Sequence, residues 1–161
     1  GGLGDDRILG KTGDDSIDGG DGADFLGGQE GNDTVIGGAG DDQINGGLGS
    51  DLLYGGDGND DLFVGEGDSI YSGDGADQVF FVGDPAAGLV TVQDYSLVSR
   101  DQYAVVFDGA PPAGSFTFTD VANAQGTTDT LVSYGGETYF RLVGIPSGSV
   151  DASDFTVQQA V

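Results

Sequence analysis

The sequence predicts an all-β fold, in which a right-handed parallel β-roll over residues 1–80 is followed by a β-rich cap over residues 81–161. Two observations lead to this prediction: a nine-residue repeat fills the first half, and short β-rich segments separated by turn residues fill the second. Composition agrees, because residues 1–80 hold 24 of the 33 glycines whereas all four prolines lie in residues 81–161.

The repeat reads GGxGxDxUx, where U is a large aliphatic residue. Nine consecutive units fit this pattern, and only the eighth unit, VGEGDSIY, is one residue short. The sixth slot holds Asp6, Asp15, Asp24, Asp33, Asp42, Asp51, Asp60, Asp68 and Asp77. The eighth slot holds Ile8, Ile17, Leu26, Val35, Ile44, Leu53, Leu62, Ile70 and Val79. So regular a pattern indicates a stacked, repetitive architecture.

Each unit predicts one turn and one short strand. The six glycine-rich residues favour a turn, because glycine tolerates positive φ and close backbone approach. The remaining three residues predict a short strand whose aliphatic side chain points to one face. Two turns and two strands complete a coil of 18 residues, so stacked coils place the aliphatic residues inside and the turns along two edges.

Stacking predicts a divalent cation between neighbouring turns. Each sixth-slot aspartate approaches the aspartate two units away, such as Asp42 and Asp60, and two adjacent carboxylates repel each other. Ca²⁺ reverses this repulsion and accepts six to eight oxygen ligands in a tolerant geometry, whereas Mg²⁺ requires a stricter octahedron. Nine turns paired in this way predict about seven Ca²⁺ ions.

The repeat resembles the calcium-binding nonapeptide of the repeats-in-toxin (RTX, hemolysin-type) family, over about half of the chain. The resemblance implies a secreted, extracellular bacterial protein exported by type I secretion machinery. It also implies that backbone carbonyls of the first, third and fifth slots bind calcium. These are the carbonyls of Gly19, Asp21, Ala23, Gly28, Glu30, Asn32, Gly37, Ala39, Asp41, Gly46, Leu48, Ser50, Gly55, Asp57 and Asn59.

The roll is expected to be disordered without calcium and to fold when calcium binds. Nine aliphatic residues form a thin core for a glycine-rich chain with a formal net charge of −24. Such a composition is typical of disordered chains. A cation that binds only the folded state would supply the missing stability.

The second half is expected to cap the roll. Residues 89–157 read as a β-meander, with a hairpin at Gly135-Gly136. The outward slots of the later repeats become apolar, at Leu52, Tyr54, Phe63, Tyr71 and Phe80, followed by Phe81. We expect this surface to dock on the cap, the alternative being a surface that tolerates aromatic residues. The final segment resembles the C-terminal export signal of the family.

Composition excludes several classes of function. The chain has neither Cys nor His, which excludes Cys/His zinc sites and Ser-His-Asp or Cys-His nucleophiles. Its acidity disfavours nucleic acid as a partner, and no run of 18 apolar residues could span a membrane. We expect a monomeric, non-enzymatic module attached to an upstream domain. The alternative is a calcium-dependent module of a secreted enzyme or adhesin that binds a polysaccharide or a surface.

Overall fold

A computed structural model describes residues 1–83, 88–95, 101–107, 114, 116–123, 125–150 and 152–159. The described residues contain sixteen strands and two single 3₁₀ turns, Ser147–Ser149 and Ala152–Asp154. The strands are β1 (Gly2–Leu3), β2 (Arg7–Thr12), β3 (Ser16–Asp21), β4 (Phe25–Glu30), β5 (Thr34–Ala39), β6 (Gln43–Leu48), β7 (Leu52–Asp57), β8 (Asp61–Val64), β9 (Ser69–Asp74), β10 (Gln78–Phe81), β11 (Val90–Val92), β12 (Gln102–Phe107), β13 (Phe116–Ala122), β14 (Thr128–Tyr134), β15 (Glu137–Leu142) and β16 (Phe155–Gln159).

Successive strands of the repeat alternate between two parallel sheets. One sheet has the order β1-β3-β5-β7-β9-β11-β15-β14-β13 and the other β16-β12-β10-β8-β6-β4-β2. Equivalent residues of successive coils are paired, for example Val35 with Leu53 and Leu26 with Ile44. The result is a parallel β-solenoid of about five turns, which confirms the predicted fold class.

The strands are longer than the three residues expected from the repeat. Most contain six residues, because the ladder continues through the glycine pair, as in the pairing of Gly38 with Gly56. Gly38 has a φ of 119°, and a Cβ there would collide with the carbonyl oxygen of Gly20. Glycine therefore serves the close stacking of coils as well as the turns.

The core of the roll is a single row of eighth-slot side chains between the two sheets. The interior residues are fully buried, whereas Ile8 at the N-terminal end is only half-buried and Leu3 is exposed. At the opposite end the row continues into the second half of the chain, where Val92 and Tyr103 are fully buried. The roll is therefore closed at its C-terminal end by the cap.

The cap extends the roll before it forms a meander. Strands β11, β12 and β16 add to the two sheets in parallel, so the expected meander over residues 89–157 is limited to β13, β14 and β15. The hairpin at Gly135-Gly136 is confirmed, with Tyr134 paired to Glu137. Parallel pairing continues because β11 and β12 cover open ladder edges that the last coil would otherwise expose.

The outward aromatic residues mainly stack on one another. Tyr54 lies over Tyr71 with ring centroids 4.8 Å apart, and Phe63 lies over Phe80 at 5.1 Å. Tyr71 remains 37% exposed, as expected from the alternative that this surface tolerates aromatic residues without docking on the cap. Phe81 is the member that contacts cap aromatics, since it is buried against Tyr139 and Phe140. Among the described residues there is no helix long and apolar enough to cross a membrane.

Candidate metal centre

The sixth-slot aspartates form two rows, one along each edge of the roll. One row, called the Asp6 row, precedes the even-numbered strands β2 to β10 and consists of Asp6, Asp24, Asp42, Asp60 and Asp77. Asp15, Asp33, Asp51 and Asp68 precede the odd-numbered strands β3 to β9. All except Asp6 and Asp15, at the open N-terminal end, are buried. The structure thus brings the predicted aspartates together in the paired arrangement that the repeat implies.

One carboxylate oxygen of each interior aspartate ties two coils together. Oδ1 of Asp42 accepts a hydrogen bond from the backbone N–H of Asp24 at 2.8 Å, and Oδ1 of Asp60 accepts one from Asp42 at the same distance. Equivalent bonds join Asp6 to Asp24, Asp15 to Asp33, Asp33 to Asp51, Asp51 to Asp68 and Asp60 to Asp77. These bonds fix the orientation of each carboxylate, and so the position of its second oxygen.

The second oxygen of most of these carboxylates is buried without a hydrogen-bond partner. Within the described residues this holds for Oδ2 of Asp15, Asp24, Asp33, Asp42, Asp51, Asp60 and Asp77. A buried, unpaired carboxylate oxygen is costly unless a positive charge lies beside it. Arg and Lys are too few to supply that charge, because the chain contains only four of them.

Except at Asp77, each unpaired Oδ2 faces the first-slot glycine of its own unit, and most of these glycines also face a carbonyl of the next coil. A Cβ built on Gly37 would collide with Oδ2 of Asp42 and with the carbonyl oxygen of Gly55. We call this arrangement of a first-slot glycine, a carboxylate Oδ2 and a carbonyl the cradle. It recurs along both edges, where the first-slot glycine of one coil lies beside a carbonyl of the next coil, which belongs to Gly19, Gly28, Gly37, Gly46 or Gly55. Carboxylate and carbonyl oxygens are the ligands that Ca²⁺ prefers, so the donor set fits this ion.

The third-slot carbonyls are already engaged in hydrogen bonds between coils. The carbonyl oxygen of Ala39 accepts a bond from Gly22 N at 2.8 Å. The carbonyls of Asp21, Glu30, Leu48 and Asp57 accept equivalent bonds from the fourth-slot glycines Gly4, Gly13, Gly31 and Gly40. Because a carbonyl has a second lone pair, their assignment as calcium ligands stays a prediction.

The fifth slots form a separate ladder on the exposed side of the turns. The backbone N–H of Asn59 donates to Oδ1 of Asp41 at 2.8 Å, and that of Ser50 donates to Oδ1 of Asn32 at 2.9 Å. Ala23 and Asn32 donate to Asp5 and Asp14 in the same way. These bonds stack the turns from outside, and the role of fifth-slot carbonyls as ligands stays a prediction.

Asp68, in the shortened unit, differs from the other eight aspartates. Its Oδ2 accepts a hydrogen bond from Gly65 N at 2.7 Å, because the missing residue brings that N–H close to the carboxylate. Burial raises the pKa of Asp68 to about 7, despite this bond and the one from Asp51. The deletion has therefore supplied a backbone donor where seven of the other turns present an unpaired oxygen.

Charge accumulates towards the cap end of the Asp6 row. Burial, followed by the charge of Asp42, raises the pKa of Asp60 to about 6. Burial, followed by the charges of Asp101, Asp60 and Asp94, raises the pKa of Asp77 to about 7. Among the described residues no group of three Asp or Glu side chains could hold a metal ion by itself. Backbone oxygens must therefore complete each site.

Two acidic residues at the cap end of this row, Asp94 and Asp101, were not predicted from the sequence. Gln102 pairs with Gln78 in the β10–β12 ladder, which places Asp101 in the coil position next to Asp77. A signal was present, because Asp101-Gln102-Tyr103 repeats the pattern of Asp77-Gln78-Val79. The spacing of 24 residues, instead of 17 or 18, concealed it.

Comparison with known families agrees with this geometry. The model of the RTX calcium-binding nonapeptide repeat, which describes four copies of the repeat, matches residues 1–35, 36–69 and 67–81, about half of the chain. The chain belongs to the RTX calcium-binding nonapeptide repeat family. No curated protein sequence matches the chain.

Solved structures similar to this chain include repeat subunits of an epimerase. The AlgE6R2 subunit of the Azotobacter vinelandii mannuronan C5-epimerase is 23% identical, with a TM-score of 0.53 over 96% of this chain and 94% of that chain. The AlgE6R3 subunit is also 23% identical, over 97% and 80% of the two chains, with a TM-score of 0.33. The extracellular lipase LipA of Serratia marcescens is 15% identical over 89% of this chain and 38% of that one, with a TM-score of 0.39. The AlgE6R2 match supports the fold.

Proposed function

We propose that this chain is a calcium-binding folding module of a secreted bacterial protein, disordered in low calcium and folded outside the cell. The observation that carries the proposal is the set of seven buried Oδ2 atoms without hydrogen-bond partners in the described structure. All except that of Asp15 belong to carboxylates whose other oxygen accepts a backbone hydrogen bond from the preceding coil. A bound cation would supply the positive charge that these buried oxygens require.

The ions lie between turns of successive coils in this proposal. Each would be held by a sixth-slot carboxylate and by first-slot carbonyls, with further oxygens from the turns, and the total would be about seven. Asp68 is the exception, since its Oδ2 already has Gly65 N as a donor. We therefore expect the site beside Asp68 to bind calcium most weakly, or to hold none.

Calcium-dependent folding would suit export by type I machinery. In the low calcium of the cell interior, repulsion among the aspartates would keep the chain unfolded and able to pass through a narrow channel. Outside the cell, calcium would bind and fold it. The segment resembling the export signal includes β16, which pairs with β12 in the folded state. Folding would therefore place this segment at the edge of a sheet after export.

The module itself is proposed to be non-enzymatic and monomeric. Most clustered aspartates are accounted for by the stacking of turns, and the sequence offers no His or Cys for acid–base or nucleophilic chemistry. Catalysis, in this proposal, belongs to an upstream domain of the same polypeptide. Folding of the module would then present that domain in the extracellular space.

Circular dichroism during a calcium titration tests the proposal, with magnesium as the control. We expect a disordered spectrum in chelator, a cooperative gain of β signal with calcium, and little change with magnesium. A full β spectrum in chelator would contradict the proposal. So would equal folding by magnesium, because its strict octahedral geometry does not suit these turns.

A second candidate function is polysaccharide binding, which a groove on the outer face of the even-numbered strands favours. The groove is lined by Arg7, Leu9, Phe25, Gln29 and Asn45, and the Arg7 guanidinium lies 4.2 Å from the centroid of the Phe25 ring. Aromatic faces, amides and a guanidinium together suit a sugar polymer. AlgE6R2 is itself a subunit of a mannuronan C5-epimerase. Glycan-array binding in calcium, abolished by Phe25→Ala but not by Tyr71→Ala on the other sheet, would support this function.

A further inference from the structure

The Asp6 row does not end with the last nonapeptide, because Asp101 in the cap continues it. Gln78 N donates to the carbonyl of Asp60 at 2.7 Å, and Gln102 N donates to the carbonyl of Asp77 at 2.7 Å. Asp60 N donates to Oδ1 of Asp77 at 2.9 Å, and Asp77 N donates to Oδ1 of Asp101 at 3.2 Å. Asp101 is 3% exposed. The cap therefore supplies a carboxylate in the geometry of the repeat, from outside the residues that match the family model.

Ser72 supplies a further oxygen at this seam between the roll and the cap. It occupies the first slot of the last unit, where most other units have glycine. Its Oγ lies 3.3 Å from Oδ2 of Asp101 and 3.4 Å from Oδ1 of Asp94. Asp94 also accepts hydrogen bonds from Ser72 N and Gly73 N, each at 3.0 Å. Asp94 thereby positions the turn that carries the hydroxyl.

Asp77 is the independent sign that a ligand belongs here. The residue is fully buried, and its Oδ2 has no hydrogen-bond partner in the described structure. The neighbouring charges of Asp101 and Asp94 act on it unfavourably. So much buried negative charge is destabilising unless a cation neutralises it.

We propose that the seam binds a calcium ion of its own, held by the carboxylates of Asp77 and Asp101 and by Oγ of Ser72. This proposal rests on calcium binding by the module, and it extends that binding beyond the nonapeptides. The ion would join β10 of the roll to β12 of the cap. Calcium would then control the docking of the cap as well as the folding of the coils.

The first test counts calcium ions per full-length chain by equilibrium dialysis, for wild type and for Asp101→Asn. Asp120→Asn is the matched control, because Asp120 is an exposed cap aspartate that accepts a hydrogen bond from Ser147 N. We expect one ion fewer in Asp101→Asn and no change in Asp120→Asn. An unchanged count in Asp101→Asn would overturn the proposal. Loss of one ion in Asp42→Asn in the same series would show that the repeats bind calcium even if the seam does not.

Ser72→Gly provides a second variant that is expected to fold, since glycine is the usual first-slot residue. We expect calcium affinity to fall at one site only, by at least about 10-fold, the lower end of the loss that removing even an outer partner of a metal site causes. Wild-type affinity at every site would overturn the proposal, even if Asp101→Asn fails to fold. If wild-type chain binds no calcium at all, both the seam site and the proposed function are wrong.

Discussion

Asp42 donates its backbone N–H to Asp60 and orients its own carboxylate by accepting the N–H of Asp24. These two hydrogen bonds align successive coils. They also leave the second carboxylate oxygen of Asp42 buried and free to bind a cation. We therefore expect Asp42→Asn to remove one calcium ion and to raise the midpoint of the folding titration, because amide nitrogen replaces a charged oxygen ligand. The affinity of that site should fall by at least about 10–100-fold, the loss that removing an outer partner of a metal site causes, so the site stays empty at calcium concentrations that fill the others. Calorimetric titration measures both effects.

Asp57→Asn is the control for this prediction. Asp57 lies on the exposed side of a turn in the third slot, and the substitution keeps its backbone carbonyl. We expect wild-type stoichiometry and midpoint in this variant. If Asp42→Asn and Asp57→Asn behaved alike, the assignment of the sixth-slot carboxylates as ligands would be wrong.

The first-slot glycines should not tolerate alanine. A Cβ on Gly37 would collide with Oδ2 of Asp42 and the carbonyl of Gly55, so Gly37→Ala should lower the free energy of unfolding in saturating calcium by about 1–3 kcal/mol. The measurement is thermal or denaturant unfolding. Gly148→Ala is the control, because a Cβ at Gly148 would meet open space. Equal stability of the two variants would contradict the cradle described above.

Acidification should favour the folded form of the metal-free chain. Burial raises the pKa of Asp60 to about 6, and burial raises that of Asp68 and Asp77 to about 7, from an ordinary value of 3.8. A carboxyl whose pKa is raised by folding destabilises the fold when ionised, so this cost is absent below about pH 4 and is fully present above about pH 7. Circular dichroism of chain freed of metal should show β signal growing from pH 7 to pH 4. Loss of β signal over that range would contradict the prediction.

We predict that the ion pair of Asp129 and Arg141 stabilises the cap independently of calcium. Asp129 is fully buried and accepts hydrogen bonds from Gly144 N at 2.8 Å and Asn123 Nδ2 at 2.6 Å, with Arg141 bound at 2.6 Å. Burial alone would raise the pKa of Asp129, but these hydrogen bonds and the Arg141 charge together lower it. Asp129→Asn should therefore destabilise β13–β15 by about 1–3 kcal/mol.

Hydrogen exchange of β13–β15 in saturating calcium measures this effect, and calcium stoichiometry should not change in Asp129→Asn. Arg141→Gln should cost less, because the Arg141 side chain is 41% exposed whereas that of Asp129 is only 1% exposed. Loss of a calcium ion in Asp129→Asn would contradict the separation of the cap ion pair from the metal sites.

The roll could be predicted from the sequence because each coil depends on local periodicity. The regular spacing of Asp24, Asp42 and Asp60 fixes both the pairing of turns and the burial of residues such as Ile44. The six-residue strands were missed because glycine opposes strand formation in isolation, whereas Gly38 is held in the ladder by contact with neighbouring coils.

The cap could be predicted only in part, because its contacts are distant in sequence. The hairpin at Gly135-Gly136 is local and was predicted, but the parallel pairing of β12 with β10 and β16 brings together segments separated by long connections. Asp101 was missed for the same reason. The hydrogen bond from Gly65 to Asp68 was also missed, since the effect of a one-residue deletion depends on the three-dimensional path of the shortened turn.

The central claim is that calcium lies between the coils, beside the unpaired carboxylate oxygens. The most direct measurement is anomalous diffraction from crystals of the full chain grown in millimolar calcium. We predict peaks along both edges, each between a sixth-slot Oδ2 and a first-slot carbonyl, as at Asp24 and Gly37. Well-ordered coils whose edges contain only water at these positions would contradict the account.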